Sequence, residues 1–221
     1  MLLVLWDVDG TLVHTAGHGR FAFEEAFRTV VGRDPVGVDY AGRTDHQIAL
    51  AMLEGKRDHL PRVLDELAGA LEARKEAMRD EGHAYPGVAE VLEALHGRDD
   101  VVQSLLTGNI ESNAALKVSA FGLERRLDFE VGAYGSDPHE RRSDLVAVAR
   151  ERAATKYGQS TGAVLVGDTP LDVQAAHEAQ ARAVAVMTGF ADRRALIRSR
   201  PEALLEDYSD TAAAVAAITS T

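Results

Sequence analysis

The residues that first suggest chemistry are Asp7 and Asp9, two carboxylates at i and i+2 near the start of the chain. In an extended strand this spacing puts both side chains on one face, so two like charges meet at close range. Such a pair costs free energy unless a cation or a shared proton offsets the repulsion, and a divalent metal is the simplest solution. An isolated pair of this kind is more often a solvated turn, so its surroundings decide between the two interpretations.

Two later stretches carry polar groups in a similar setting. Residues 107–109 (Thr-Gly-Asn) follow an apolar run, and Asp168 and Asp172 follow another. Backbone N–H groups at a helix start suit a phosphate oxygen, which is one interpretation of residues 107–109. The alternatives are an ordinary strand-to-helix turn for residues 107–109 and helix capping for the two aspartates.

Alternating strands and helices would position these groups. Residues 2–6 form an unbroken apolar run that is typical of a strand buried on both faces of a parallel sheet. From residue 86 onward, helical and strand patterns alternate, which predicts a parallel sheet covered on both sides. The predicted helices span residues 87–97, 110–121, 142–157 and 171–180, and the predicted strands span 101–106, 129–131, 163–166 and 183–186. Ligands bind at the carboxyl edge of such sheets, where all three polar stretches would lie.

Residues 14–84 have a purely helical pattern. Apolar residues recur at helical spacing and predict helices over 18–31, 47–53 and 61–78. This segment follows directly on a sheet strand and is therefore expected to be an inserted helical domain, residues 14–84, with the α/β core formed by residues 1–13 and 85–221.

Composition limits the classes of function. The 221 residues include no cysteine, which excludes disulfides and cysteine nucleophiles. No apolar stretch approaches the roughly 20 residues that span a bilayer, and no signal peptide is recognisable. The formal net charge of −11 opposes binding to nucleic acid. We therefore expect a cytoplasmic protein with a small-molecule partner, neither nucleic acid nor membrane; the sequence predicts no oligomeric state.

Taken together, the three polar stretches resemble three of the four signature motifs of the haloacid dehalogenase superfamily, in the right order and each at a predicted strand end. They are Asp7-Val8-Asp9-Gly10-Thr11, Thr107-Gly108-Asn109 and Gly167-Asp168-Thr169-Pro170-Leu171-Asp172. Within the superfamily, the chain resembles the phosphoglycolate-phosphatase-like group with a small helical cap of the C1 type. The resemblance implies a Rossmann-like, three-layer α/β core and hydrolysis of a small phosphorylated metabolite.

The resemblance also implies roles for four carboxylates. Asp7 would attack phosphorus to form an aspartyl-phosphate, and Asp9 would act as general acid and then as base. The Asp7 side chain, the backbone carbonyl of Asp9 and Asp168 would bind Mg²⁺, which suits an all-oxygen site. Asp172 would bind the metal through water or hold a basic residue.

The phosphate is expected to contact the remaining motifs. Thr107, with the N–H groups of Gly108 and Asn109, would hold a phosphate oxygen. Most relatives carry a lysine before the helix that leads to the last motif, but residues 136–145 contain none. Arg142 is the first candidate to replace it and Arg141 the second. Lys117 is a third, for which a solvated surface position is the better explanation.

Substrate choice would depend on the cap. Arg43 and Thr44 lie in a loop that resembles the cap loop closing over the site in relatives, and Arg43 could grip a carboxylate of the substrate. A surface salt bridge is the alternative for Arg43. His14, near the predicted hinge, is expected either to line the site or to be exposed.

Three functions fit these residues. The first is a Mg²⁺-dependent phosphatase, for which phosphoglycolate is the first substrate to test. The second is a phosphomutase, which would return the phosphoryl group from Asp7 to a second hydroxyl of a sugar phosphate. The third is a non-catalytic metabolite binder, which would have no use for a nucleophile repelled by its neighbours.

Overall fold

The computed structural model describes residues 1–139, 141–158, 162–189 and 191–220. Its strands are β1 (Leu2–Trp6), β2 (Val13–His14), β3 (His83–Ala84), β4 (Val101–Leu105), β5 (Gly162–Gly167), β6 (Arg182–Val186) and β7 (Ala203–Leu205). Its helices are α1 (His18–Val31), α2 (Asp45–Met52), α3 (Leu60–Glu72), α4 (Lys75–Glu81), α5 (Val88–His96), α6 (Glu111–Ala120), α7 (Arg142–Tyr157), α8 (Pro170–Glu178), α9 (Arg193–Ser199) and α10 (Thr211–Thr219).

Five of the strands form one parallel sheet in the order β4-β1-β5-β6-β7. The apolar strand β1 lies between β4 and β5, and Trp6 at its end is in register with Leu105 on one side and Val166 on the other. Successive side chains of a strand point to opposite faces, so β1 contributes to two separate cores. Val4 and Trp6 pack in one core, and Leu3 and Leu5 pack in the other. The predicted α/β fold with a sheet covered on both faces is confirmed.

The helices α1 to α4 surround a third apolar cluster. Phe23 and Phe27 of α1 lie in this cluster together with Val63 and Leu67 of α3. Ile110, just before α6, and Leu116 within it complete the cluster, so the helical segment packs onto the core helix α6. The short strands β2 and β3 pair antiparallel where the predicted domain boundaries fall. The division of the chain at residues 14 and 84 stays a prediction.

One helix prediction was wrong in its extent. The periodicity indicates a single helix over residues 61–78, but the chain turns at Ala73 and Arg74 into two helices, α3 and α4. Both helices contact α6, but only α3 also packs extensively on α1. Met78 can therefore stay fully buried in the shared apolar cluster while the chain returns to the core.

The strand predicted at residues 129–131 was also wrong, because Phe129–Val131 is a turn of 3₁₀ helix. The Asp128 carboxylate accepts a hydrogen bond from the Glu130 N–H at 3.1 Å and stabilises the turn. The chain touches the sheet beside this turn through single contacts, such as the isolated bridge between Leu106 and Ala133. The other predicted helices and strands are confirmed. Among the described residues, no helix combines the length and apolar composition needed to cross a bilayer.

Candidate active site

The carboxyl edge of the sheet brings the predicted site residues together. Asp7 follows β1, Thr107 lies two residues beyond β4, and Asp168 follows β5. Because β4, β1 and β5 are neighbours in the sheet, these three residues converge at one edge. The stretches that resembled separate motifs therefore belong to one site.

Three carboxylates form the acidic centre of this site. Asp7, Asp168 and Asp172 are all buried, and one oxygen of each lies within 4.8 Å of the others. Gly10, at φ +80°, makes room for the cluster, since a Cβ there would lie 2.5 Å from Asp168 Oδ2. Oxygen donors packed this closely are the ligand set that hard cations such as Mg²⁺ prefer. The three side chains thus fit a divalent metal.

Electrostatics supports the same interpretation. Burial raises the pKa of Asp7, with Arg142 opposing the rise and Asp172 adding to it. Burial also raises the pKa of Asp168, and the neighbouring charges of Asp172 and Asp7 raise it further. Such shifts mean that the ionised cluster is unfavourable on its own, and that a bound cation would relieve the repulsion.

Arg142 is the basic residue in contact with the acidic cluster. Its Nη2 lies 2.5 Å from Asp172 Oδ1 and 3.1 Å from Asp7 Oδ1. It is the first residue of α7, so the helix start fixes the guanidinium at the sheet edge. Its Nε is buried and has no hydrogen-bond partner among the described residues. Arg141 points elsewhere, since its side chain is 69% exposed beside Asp144 and Glu178.

Asp9 lies outside the acidic cluster and has its own set of donors. Its Oδ2 accepts hydrogen bonds from Lys117 Nζ at 2.6 Å and from Asn109 Nδ2 at 2.8 Å, and its Oδ1 accepts one from Thr15 Oγ1 at 3.4 Å. Burial tends to raise the pKa of Asp9, but the Lys117 charge and these hydrogen bonds outweigh it and lower the pKa. The two carboxylates of the first motif are therefore in opposite electrostatic environments.

The expectation that Lys117 lies on the surface was wrong. Only 4% of this residue is exposed, and its Nζ also donates to Asn109 Oδ1 at 2.6 Å. Lys117 is buried because α3 and α4 cover α6. Gly19 of α1 gives the ammonium room, since a Cβ there would lie 3.2 Å from Nζ.

The loop at residues 107–109 is closed by its own hydrogen bonds and by the helical segment. Thr107 is fully buried, and its Oγ1 accepts hydrogen bonds from the Asn109 N–H at 3.3 Å and from Asn109 Nδ2 at 2.8 Å. Gly108 lies against the loop before α2, where a Cβ would come within 2.5 Å of the Arg43 carbonyl oxygen. Phosphate binding by residues 107–109 stays a prediction.

Sequence reasoning missed the role of Asp45. Its N–H donates to the Gly108 carbonyl at 2.7 Å, and its Oδ2 accepts from the Ile110 N–H at 2.8 Å. Asp45 thus bonds the N-terminal end of α6, although it belongs to the helical segment. The only feature of the sequence that could have indicated this role is an aspartate in a predicted loop. The Ile110 amide that it binds lies 65 positions away in sequence.

The three residues predicted to contact substrate from the cap differ in their exposure to solvent. Arg43 has an exposed side chain, and its backbone lies over Gly108. Thr44 is buried, and its hydroxyl accepts from the Gln47 N–H at 3.2 Å as the N-cap of α2. His14 is half-buried in the β2–β3 ribbon, with its ring centroid 5.2 Å from that of His83. Contact of these residues with substrate stays a prediction.

Comparison with known proteins agrees with this geometry. The model of the haloacid dehalogenase-like hydrolase family matches residues 4–177 of the chain. A phosphoglycolate phosphatase from Synechococcus elongatus is 34% identical over 225 residues, covering 97% of each chain. The chain belongs to the haloacid dehalogenase-like hydrolases. The expected family and the expected class of enzyme, a hydrolase, are confirmed.

Solved structures of similar fold extend over the whole length of this haloacid dehalogenase-like hydrolase. A hydrolase from Pseudomonas syringae has a TM-score of 0.74 at 20% identity, covering 100% of this chain and 99% of its own. CbbY from Rhodobacter sphaeroides, solved in complex with phosphate, has a TM-score of 0.72 at 20% identity, covering 94% of this chain and 95% of its own. Both confirm the fold.

The acidic cluster of this hydrolase generates a prediction about stability and metal binding. The pKa of Asp168 is raised in the folded state, so folding takes up protons and stability falls as pH rises through the interval between the ordinary and the raised pKa. Asp168→Asn should therefore raise the Tm in chelator at mildly alkaline pH, by about 2–4 °C for each kcal/mol of repulsion removed. It should also abolish the rise in Tm that Mg²⁺ causes in the wild type. A variant that is less stable than wild type in chelator, or still stabilised by Mg²⁺, would contradict this account of the cluster.

The bond from Asp45 to α6 generates a second prediction. Asp45→Ala should destabilise this helix end by about 1 kcal/mol, which corresponds to roughly fivefold faster hydrogen exchange of the Ile110 amide. Asp45→Asn keeps an acceptor oxygen and should retain most of the protection, whereas Asp58→Ala, at an exposed position before α3, should have no effect. Unchanged exchange at Ile110 in Asp45→Ala would show that the carboxylate does not hold this contact.

Proposed function

We propose that this chain is a Mg²⁺-dependent phosphatase that hydrolyses a small phosphate monoester through an aspartyl-phosphate on Asp7. The observation that carries the proposal is the separation of the two carboxylates of the first motif. Asp7 lies in the acidic cluster 3.1 Å from Arg142, whereas Asp9 lies outside the cluster and contacts Lys117 and Asn109. One carboxylate is thus placed to act as nucleophile beside a metal, and the other is placed to transfer a proton.

In the first step, an Asp7 oxygen attacks phosphorus and the bond from phosphorus to the leaving oxygen breaks. The leaving oxygen takes a proton from Asp9, so the alcohol departs neutral. Because, against the effect of burial, Lys117 lowers the pKa of Asp9 in the free protein, Asp9 would take up this proton as the anionic ester binds beside it. Arg142 lies within hydrogen-bond distance of Asp7 and would bind a non-bridging phosphoryl oxygen with its remaining N–H groups. Thr107 and the N–H groups of Gly108 and Asn109 would hold a phosphate oxygen.

In the second step, water attacks phosphorus and gives a proton to Asp9, which now acts as a base. The bond between phosphorus and Asp7 breaks, phosphate leaves, and both aspartates return to their starting states. The position of Asp9 outside the acidic cluster suits this role, because a proton carrier must face the leaving group rather than the metal.

The ligands for Mg²⁺ would be the Asp7 and Asp168 side chains and the Asp9 backbone carbonyl, with Asp172 acting through water. Asp7, Asp9, Asp168 and Asp172 face two basic residues, Lys117 and Arg142, which leaves two negative charges uncompensated when all four acids are ionised. The bound ion would supply that missing positive charge and would polarise the phosphoryl oxygens.

Phosphoglycolate is the substrate we propose first. The relative from Synechococcus elongatus, 34% identical, carries the name phosphoglycolate phosphatase. Arg43 offers an exposed guanidinium on the loop that lies over Gly108, and a carboxylate on the leaving group is a good partner for it. The small acid would thus be held at both of its anionic ends.

The proposed nucleophile gives the first functional prediction. Asp7→Asn should lower kcat for phosphate release from small phosphate esters by at least about 1,000-fold, because the amide cannot form the covalent intermediate. The measurement is phosphate release from a panel of esters, with Mg²⁺ and with chelator. Asp99→Asn, the same change at an exposed position, should leave release intact.

The same panel separates the alternatives. Release that persists in Asp7→Asn would contradict the mechanism. No release from any ester would contradict the phosphatase, and product formation that requires a sugar bisphosphate would identify a phosphomutase instead. Ligand binding without any turnover in the wild type would identify a binder.

The cap arginine gives a second functional prediction. Arg43→Gln should raise KM for phosphoglycolate by about 10- to 100-fold, the value of a charge-assisted bidentate contact of roughly 1.5–3 kcal/mol. The KM for ethyl phosphate, which lacks the carboxylate, should stay nearly unchanged. Arg62→Gln, at an exposed position on α3, serves as the control. Equal changes for both esters would show that Arg43 does not recognise the carboxylate.

A further inference from the structure

The buried ion pair between Lys117 and Asp9 has no place in the steps described so far. Lys117 lies in the last turn of α6, and its ammonium reaches Asp9 Oδ2 at the sheet edge at 2.6 Å. Placing a lysine at a site that is only 4% exposed removes its charge from water at a considerable cost. Stability alone is a weak reason for this pair, since a buried ion pair seldom stabilises a fold more than an apolar pair of the same volume does.

The pair belongs to a closed network around Asp9. Asn109 donates from Nδ2 to the same Asp9 oxygen at 2.8 Å and accepts from Lys117 at its Oδ1 at 2.6 Å. The three side chains form a triangle, in which each contacts the other two. Because Asp9 Oδ2 receives both donors, the other oxygen, Oδ1, is the one left toward Thr15 at a longer 3.4 Å. The triangle therefore fixes the orientation of the carboxylate.

We infer that Lys117 is a positioning residue that holds the Asp9 carboxylate out of the acidic cluster and aims Oδ1 at the leaving oxygen of the substrate. This inference rests on the proposed function, in which Asp9 donates that proton. Without the ammonium, the Asp9 side chain, 42% exposed, would be free to rotate toward water or toward a cation that the cluster would hold. A proton donor displaced by about 1 Å can lose roughly 100-fold in rate.

A positioning role of this kind has a distinctive kinetic signature. An alkyl phosphate has a poor leaving group that needs a proton as the bond to phosphorus breaks, whereas p-nitrophenyl phosphate releases a stable anion that needs none. Loss of the Lys117 contact should therefore harm alkyl esters selectively. A residue that merely supports the fold, or that binds the phosphoryl group common to all esters, would affect both kinds of ester equally.

The experiment compares Lys117→Gln with wild type on ethyl phosphate and on p-nitrophenyl phosphate, with Mg²⁺ present. We expect kcat for ethyl phosphate to fall by about 100-fold. The KM for either ester and the kcat for p-nitrophenyl phosphate should stay nearly unchanged. Lys156→Gln is the matched control, because Lys156 pairs with Asp128 and Glu130 on the surface far from the sheet edge, and it should behave as wild type. Equal losses on both esters in Lys117→Gln would overturn the inference.

A double-mutant cycle tests whether Lys117 acts through Asp9. In an Asp9→Asn background the proton donor is already absent, so Lys117→Gln should cause no further loss with ethyl phosphate. An additional loss as large as that in the wild-type background would show that Lys117 acts independently, and would overturn the inference. Wild-type enzyme without Asp7-dependent release from p-nitrophenyl phosphate would instead contradict the proposed function itself.

Gly19→Ala covers the case in which Lys117→Gln does not fold. Alanine is a better helix former than glycine, and its Cβ would lie 3.2 Å from Lys117 Nζ, so the ammonium would have to shift by a few tenths of an ångström. The expected result is the same selective loss on ethyl phosphate at a smaller magnitude, with a Tm no lower than that of the wild type. An equal effect on both esters, or none on either, would contradict the positioning role.

Discussion

The crowding of negative charge at the end of β1 is the constraint on which the rest of the structure depends. Asp7 cannot be both buried and ionised beside Asp168 and Asp172 unless positive charge lies close by. Arg142 supplies part of that charge at the start of α7, and a divalent cation held by the three carboxylates would supply the rest. Asp9 lies outside the acidic cluster and pairs with Lys117 of α6 instead.

The sheet and the helical segment together produce this division of charge. The order β4-β1-β5 places three strand ends side by side, so that acids and donors meet without long loops. The helical segment packs on α6 and thereby buries the face of that helix which carries Lys117. Asp45 ties the same segment to the loop at Gly108. The helical segment and the Asp9 carboxylate are thus linked through a single helix.

Much of this could be predicted from sequence, because the signals are local. The apolar run before Asp7 indicates a buried strand, and the position of Arg142 at the start of a helical pattern makes it the first candidate for the missing lysine. The failures concern features that depend on distant contacts. The face of α6 that meets the helical segment determines the burial of Lys117, and no periodicity within α6 reports it. The turn at residues 129–131 likewise depends on the Asp128 carboxylate, which Lys156 and Tyr157 hold from the distant helix α7, and these contacts override the strand propensity of Phe129 and Val131.

The most direct test of the account is to identify the residue that carries the phosphoryl group during turnover. Enzyme quenched while turning over a phosphate ester can be reduced with borohydride, which converts an aspartyl-phosphate to homoserine, and the altered position can be read by peptide mass spectrometry. The account predicts homoserine at position 7 in the wild type, with position 9 unaltered. Modification at position 9, or substrate-dependent phosphate release without any homoserine at position 7 under conditions that preserve acyl phosphates, would contradict it.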